Sequence, residues 1–174
     1  MKKLLLITDR EEMLDAIKND GGSSLQYADD TLKADREVVL EAVRKFGYAL
    51  DDADDSLKAD REVVLEAVKN HGSAFQFADD TLKSDREVVL EAVKNDCRAL
   101  LYTNDSFRAD REVVLEAVKN NGFGLQFAND SFWADREVVL EAVKNYGLAL
   151  QWASKELKKD PELKKIAKDW RPIV

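Results

Sequence analysis

Asp35-Arg-Glu-Val-Val-Leu-Glu-Ala-Val43 decides how this chain is read. The same nonapeptide runs from Asp60 to Val68, Asp85 to Val93, Asp110 to Val118 and Asp135 to Val143, each start 25 residues after the last. Weaker copies open at Asp9 (Asp-Arg-Glu-Glu-Met-Leu-Asp-Ala-Ile) and Asp160 (Asp-Pro-Glu-Leu-Lys-Lys-Ile-Ala). The first lies 26 residues before Asp35, with Gly22 as the added residue. A fixed period of this length marks stacked supersecondary units that share a core with their neighbours.

Asp35 is suited to cap a helix, because its carboxylate accepts from orphan backbone amides and complements the positive end of the helix dipole. Val39, Leu40, Val43 and Phe46 then form one apolar stripe, widened by Val38 and Ala42. Glu37, Glu41 and Lys45 share the opposite face, and Glu41 precedes Lys45 by four residues, the favourable order for an ion pair. Two adjacent β-branched valines lower helix propensity slightly, so burial has to hold the helix.

Gly47, with Gly21, Gly72, Gly122 and Gly147 in the other units, is expected to end the helix by taking a positive φ. Ala49, Leu50 and Ala53 follow at helical spacing and predict a second, short helix. Asp54 to Ala59 predicts a turn in which Leu57 plugs the core. The fold class is all-α: an α-solenoid of tandem 25-residue two-helix repeats. Residues 1–174 read as a single array, with an atypical repeat over 1–34, five regular repeats over 35–159 and a C-terminal cap over 160–174. In that cap Pro161 takes the first helical position, Leu163, Ile166 and Ala167 point inward, and Trp170 seals the core.

The repeat Asp-Arg-Glu-Val-Val-Leu-Glu-Ala-Val-Lys-Asn-x-Gly-x-Ala-Leu-Gln-x-Ala resembles an uncharacterised family of short tandem helical repeats, catalogued as a domain of unknown function. The match is best from Asp35 to Ala153 and departs at Gly22, at Cys97 for glycine, and at Asp51-Asp52 for Gln-aromatic. The resemblance implies an all-helical solenoid-like array and brings no activity, substrate, cofactor or functional residue with it.

Net charge is −8 and the isoelectric point about 4.8, which argues against sequence-independent binding to nucleic acid or an anionic membrane. Residues 155–171 carry seven Lys or Arg against four Asp or Glu, so this end is +3 and the remainder −11. The apolar run Leu4 to Ile7 is too short for a signal peptide and is read as a lid over the first repeat. The expected location is the cytoplasm.

Chemistry-bearing constellations are sparse. Cys97 excludes an internal disulfide by being the sole cysteine, and no histidine stands near it in sequence to activate the thiol. If its site requires a positive φ, the fourth unit is strained there. The acidic doublets Asp29-Asp30, Asp54-Asp55 and Asp79-Asp80 read as turn and cap residues, since Asn replaces the first member at Asn104 and Asn129. His71 is alone, so neither a triad nor a two-histidine metal site can form within one chain. No enzyme, cofactor or metal is expected.

Two positions vary while the frame repeats. One row holds Phe46, His71, Asp96, Asn121 and Tyr146; the other holds Tyr48, Ser73, Arg98, Phe123 and Leu148. Trp133 replaces a lysine or arginine and reads either as an exposed contact anchor or as a ring folded onto Phe132 and the cap. A fixed frame with varied rows predicts a protein-interaction scaffold that is monomeric or weakly self-associating. The alternative is a structural protein built by end-to-end contact of repeat arrays, the basic end meeting acidic repeats.

Overall fold

The structure, a computed structural model, describes residues 6–171. It divides into two compact units, Met1–Asn95 and Asp96–Val174. The long helices are α1 (Arg10–Asp20), α2 (Arg36–Lys45), α3 (Arg61–Asn70) and α4 (Arg86–Asn95) in the first unit. The second holds α5 (Arg111–Asn120), α6 (Arg136–Asn145) and α7 (Pro161–Asp169). No strand forms among the described residues, and Ile7 with Ala28 makes an isolated parallel bridge.

The second helix of each repeat is a short 3-10 helix, as at Gly47–Asp52, Gly72–Phe77, Gly122–Phe127 and Gly147–Trp152. The connector, expected as a plain turn, is itself a turn of helix: Asp55–Lys58 and Asp105–Arg108 are α-helical, Leu157–Lys159 is 3-10. Inside each unit the long helices pack side by side in one layer and the 3-10 helices in another, in α-solenoid fashion. A ten-residue helix is marginal alone in water, so each depends on the copy beside it.

Val38, Val39, Ala42 and Val43 are fully buried, as are their counterparts Val63, Val64, Ala67 and Val68, and Val138, Val139, Ala142 and Val143. Val38 and Ala42 are therefore central to the core rather than edges of a stripe. Leu65, Leu115 and Leu140 of the same motif are only half-buried. From the second layer come Ala49 and Leu50, and from the connector Leu57, as expected.

The glycines correct the sequence reading. Positive φ occurs only at Gly21 (75°) and Gly22 (103°) among the described residues. Gly47 has an ordinary φ and is glycine for room: a Cβ there would lie 2.4 Å from the Ala67 carbonyl oxygen of the next helix. Gly22 meets the Ala42 oxygen in the same way, at 2.6 Å, so Gly22 is the in-register glycine and Gly21 the added one. Cys97 is accordingly unstrained.

Of the predicted lid, Leu4 and Leu5 lie outside the described residues, and Leu6 is exposed. Ile7 accepts a hydrogen bond from the Asp29 amide at 3.0 Å. This repeats the link by which Asp54 N donates to Lys33 O (3.0 Å) and Asp79 N to Lys58 O (2.9 Å), so Ile7 stands in for a connector.

Candidate functional site

The frame that holds the variable side chains is built by residues the nonapeptide repeats. Asp60 caps α3, accepting from the Glu62 and Val63 amides at 2.9 and 3.1 Å. Arg36, the first residue of α2, reaches across to Asp60 at 2.7 Å and Glu62 at 2.5 Å. Arg10 joins Asp35 and Glu37, and Arg61 joins Asp85 and Glu87. In the second unit Arg111 and Arg136 pair the same way with Asp135 and Glu137, and with Asp160 and Glu162. The Arg36 hydrogen bond, opposed by burial, holds the Asp60 carboxyl below the usual carboxylate range. This ladder was not legible in the sequence, because its partners meet only once the stacking register is known.

Asparagines close the other end of the long helices. Asn70 accepts from the Gly47 amide at 2.8 Å and donates to the Arg44 carbonyl at 2.9 Å. Asn95 does the same for Gly72 (3.0 Å) and Lys69 (2.7 Å). The end of one helix is thus satisfied by its neighbour.

On this frame the two predicted rows interleave, within each unit, into an aromatic strip that a third position, that of Phe77, Phe127 and Trp152, completes. In the first unit Tyr48 lies 5.7 Å from Phe46, 5.2 Å from His71 and 6.1 Å from Phe77, centre to centre. In the second, Phe123 lies 5.4 Å from Phe127, 6.0 Å from Tyr146 and 5.4 Å from Trp152, and Tyr146 lies 5.3 Å from Trp170. The rings meet mostly edge to face and are half-buried. Leu148 (59% exposed), Tyr27 and Tyr102 are the open apolar members of these positions.

The other predicted site residues fall as follows. Ser73 is buried and too short to emerge where Tyr48 and Phe123 do, so it leaves the surface set. Arg98 folds onto Asp96 at 2.6 Å. Asn121 is exposed and its side chain accepts from the Phe123 amide at 3.0 Å. Trp133 follows the second of its two readings in turning inward: it packs against the core, and its indole N–H donates to Leu125 O at 3.1 Å.

Asp29, Asp54 and Asp79 of the acidic doublets each accept from a backbone amide or hydroxyl at the start of the connector. Asn104 and Asn129 do likewise, which explains the exchange. Among the described residues no three His, Cys, Asp or Glu side chains are grouped to hold a metal. Cys97 is buried, and burial pushes its thiol up to about 12, so the nucleophilic thiolate is not formed near neutrality.

Interlocked helical units with a repeated frame and a varied strip define a tandem helical-repeat protein. The chain belongs to the family described as a domain of unknown function (DUF4116), whose model matches residues 9–58, 60–108, 110–158 and 135–167. Each of these matches starts on a helix-capping aspartate, and the longer ones span two 25-residue units. No curated protein and no solved structure matches the chain.

Proposed function

We propose that the chain is a non-enzymatic scaffold that binds a protein partner through the aromatic strips of its two units. The observation that carries this reading is the contrast between the invariant helix frame and the varied rows beside it. The valine and alanine positions of the helix motif recur verbatim and are buried, whereas the two varied rows hold a different residue in each regular repeat and their rings are half-open. Aromatic side chains offer large contact area at low entropic cost, which is why they dominate binding hot spots. Among the described residues no helix is long and apolar enough to cross a membrane.

End-to-end association is the second reading, and the arginine ladder weighs against it. A further rung would need an arginine at the start of α7, where Pro161 stands.

The test is a partner captured by the whole chain and then measured against two variants. Tyr48→Ala with Phe123→Ala is expected to weaken binding at least about tenfold. Glu41→Gln with Lys45→Gln, on the face away from the strip, is expected to leave it unchanged. Equal binding by the strip variant would remove the proposal.

A further inference from the structure

Where the 3-10 helix Gly147–Trp152 meets α7, an apolar trough of about 410 Å³ lies open in the second unit. Leu148, Leu150 and Ala167 line it, with the exposed side chains of Lys158 and Lys168. Leu50, Phe75, Leu100 and Leu125 hold the place of Leu150 in other repeats and are fully buried. Ala67, Ala117 and Ala142 are fully buried at the place of Ala167. In the last repeat both residues are only partly covered. Elsewhere in the unit the next 3-10 helix covers this ground, Gly122–Phe127 packing on Cys97–Tyr102 and Gly147–Trp152 on Gly122–Phe127. We propose that the trough is a second docking site, independent of the aromatic strips, for an acidic segment of a partner protein that carries leucine or phenylalanine between its carboxylates.

Charge complementarity selects this occupant. In earlier connectors the cation is paired within its own turn: Lys58 with Asp55, Lys83 with Asp80 and Arg108 with Asp105. Lys155 stands where those aspartates stand, so Lys158 lacks that partner. Neither Lys158 nor Lys168 forms an ion pair among the described residues. Lys164 and Lys168 also take the places of Val139 and Val143, which are fully buried. A further apolar repeat, such as a second copy would bring, would press its core against ammonium groups without counter-charge, which is costly. An acidic segment supplies the counter-charge, and its apolar side chain covers Leu148 and Leu150. Residues 155–171, at +3, draw such a segment to this end of an otherwise acidic chain.

The probes are the peptides Glu-Asp-Leu-Phe-Glu-Asp, Glu-Asp-Ser-Ser-Glu-Asp and Lys-Lys-Leu-Phe-Lys-Lys, titrated into the whole isotope-labelled chain and followed by amide NMR. The first alone is expected to bind, with shift changes centred on Leu148, Leu150 and Ala167. Lys158→Gln with Lys168→Gln is expected to weaken it about five- to tenfold, and Leu148→Ser, at a position 59% exposed, about fivefold. Lys69→Gln with Lys119→Gln, removing equal charge from exposed positions on α3 and α5, is expected to change little. No binding of the first peptide, or equal weakening by the two lysine pairs, would overturn the proposal. Equal binding of the serine peptide would overturn it in favour of a patch for any polyanion. Self-association of the chain that Leu148→Ser abolishes would make a second copy the occupant and overturn it too. No ring of the strip lines the trough, so each of these results leaves the strip reading to its own test.

Discussion

Gly47 and Cys97 hold the same place in two repeats, and the difference between them shows what the place is for. At Gly47 the backbone of the next helix comes so near that a Cβ would meet the Ala67 carbonyl oxygen. At Cys97 a side chain is present and 2% exposed, with no positive φ. The relief comes from a second exchange: Gly124 stands where Ala49, Ala74, Ala99 and Ala149 stand in other repeats. A Cβ on Gly124 would lie 3.0 Å from the Cys97 Cβ. Room between stacked backbones, not backbone conformation, sets the residue here, and two neighbouring positions share it.

The strongest way to break this comparison is to fill a glycine that has no compensating partner. Gly122→Ala places a Cβ 1.9 Å from the Ala142 carbonyl oxygen, a backbone atom that cannot turn aside. A loss of about 3 kcal/mol or more is expected by urea denaturation. A loss below about 1 kcal/mol would mean that the repeats stack less closely than described.

Asn70→Ala probes the same junction from its hydrogen bonds. It strips the Gly47 amide and the Arg44 carbonyl of their shared partner, and a loss of about 1–2 kcal/mol is expected in the same assay. The first repeat sharpens the point. There Lys45 of the following repeat replaces the asparagine, and Asp20, in the same repeat as Gly22, accepts from the Gly22 amide at 3.0 Å. Lys45→Ala should therefore cost much less than Asn70→Ala.

The ladder gives the smallest effect per residue, and it depends on pH. Asp60, held by Arg36 against burial, has its pKa depressed in the folded chain from the ordinary 3.8. Asp35 and Asp85 are depressed too, burial there being outweighed by the arginine and by capping amides. Depressed carboxyls bind fewer protons folded than unfolded, so their stabilisation is complete above about pH 5 and is lost as pH falls through 3.8 and below. Arg36→Ala should flatten that acid limb of thermal stability slightly; an unchanged slope would show that the pairs are too well solvated to matter.

The helical class, the helix starts and most of the valine-alanine core were legible because each rests on contacts local in sequence or on plain hydrophobic period. Asp35 could be read as a cap because its partners lie two and three residues on. Arg36 could not be read, because Asp60 and Glu62 reach it only through the stacking. The glycines misled for the same reason: in isolation Gly47 looks like a helix stop, and only Ala67 of the neighbouring helix shows that it makes space. The strip was half legible. Its two varied rows stood out, but Phe77, Phe127 and Trp152 recur as aromatics and so resembled core. The signal available was that this position is aromatic in every unit except at Asp52.

The most direct test of the stacking account is a double-mutant cycle on Cys97 and Gly124, followed by urea denaturation. With Cys97 in place, Gly124→Ala is expected to destabilise by about 1 kcal/mol, through crowding. In the Cys97→Gly background the same change should stabilise, by about 0.5–1 kcal/mol, because it restores the pairing found in the other repeats. A reversal of sign is the predicted result; equal effects in the two backgrounds would contradict it.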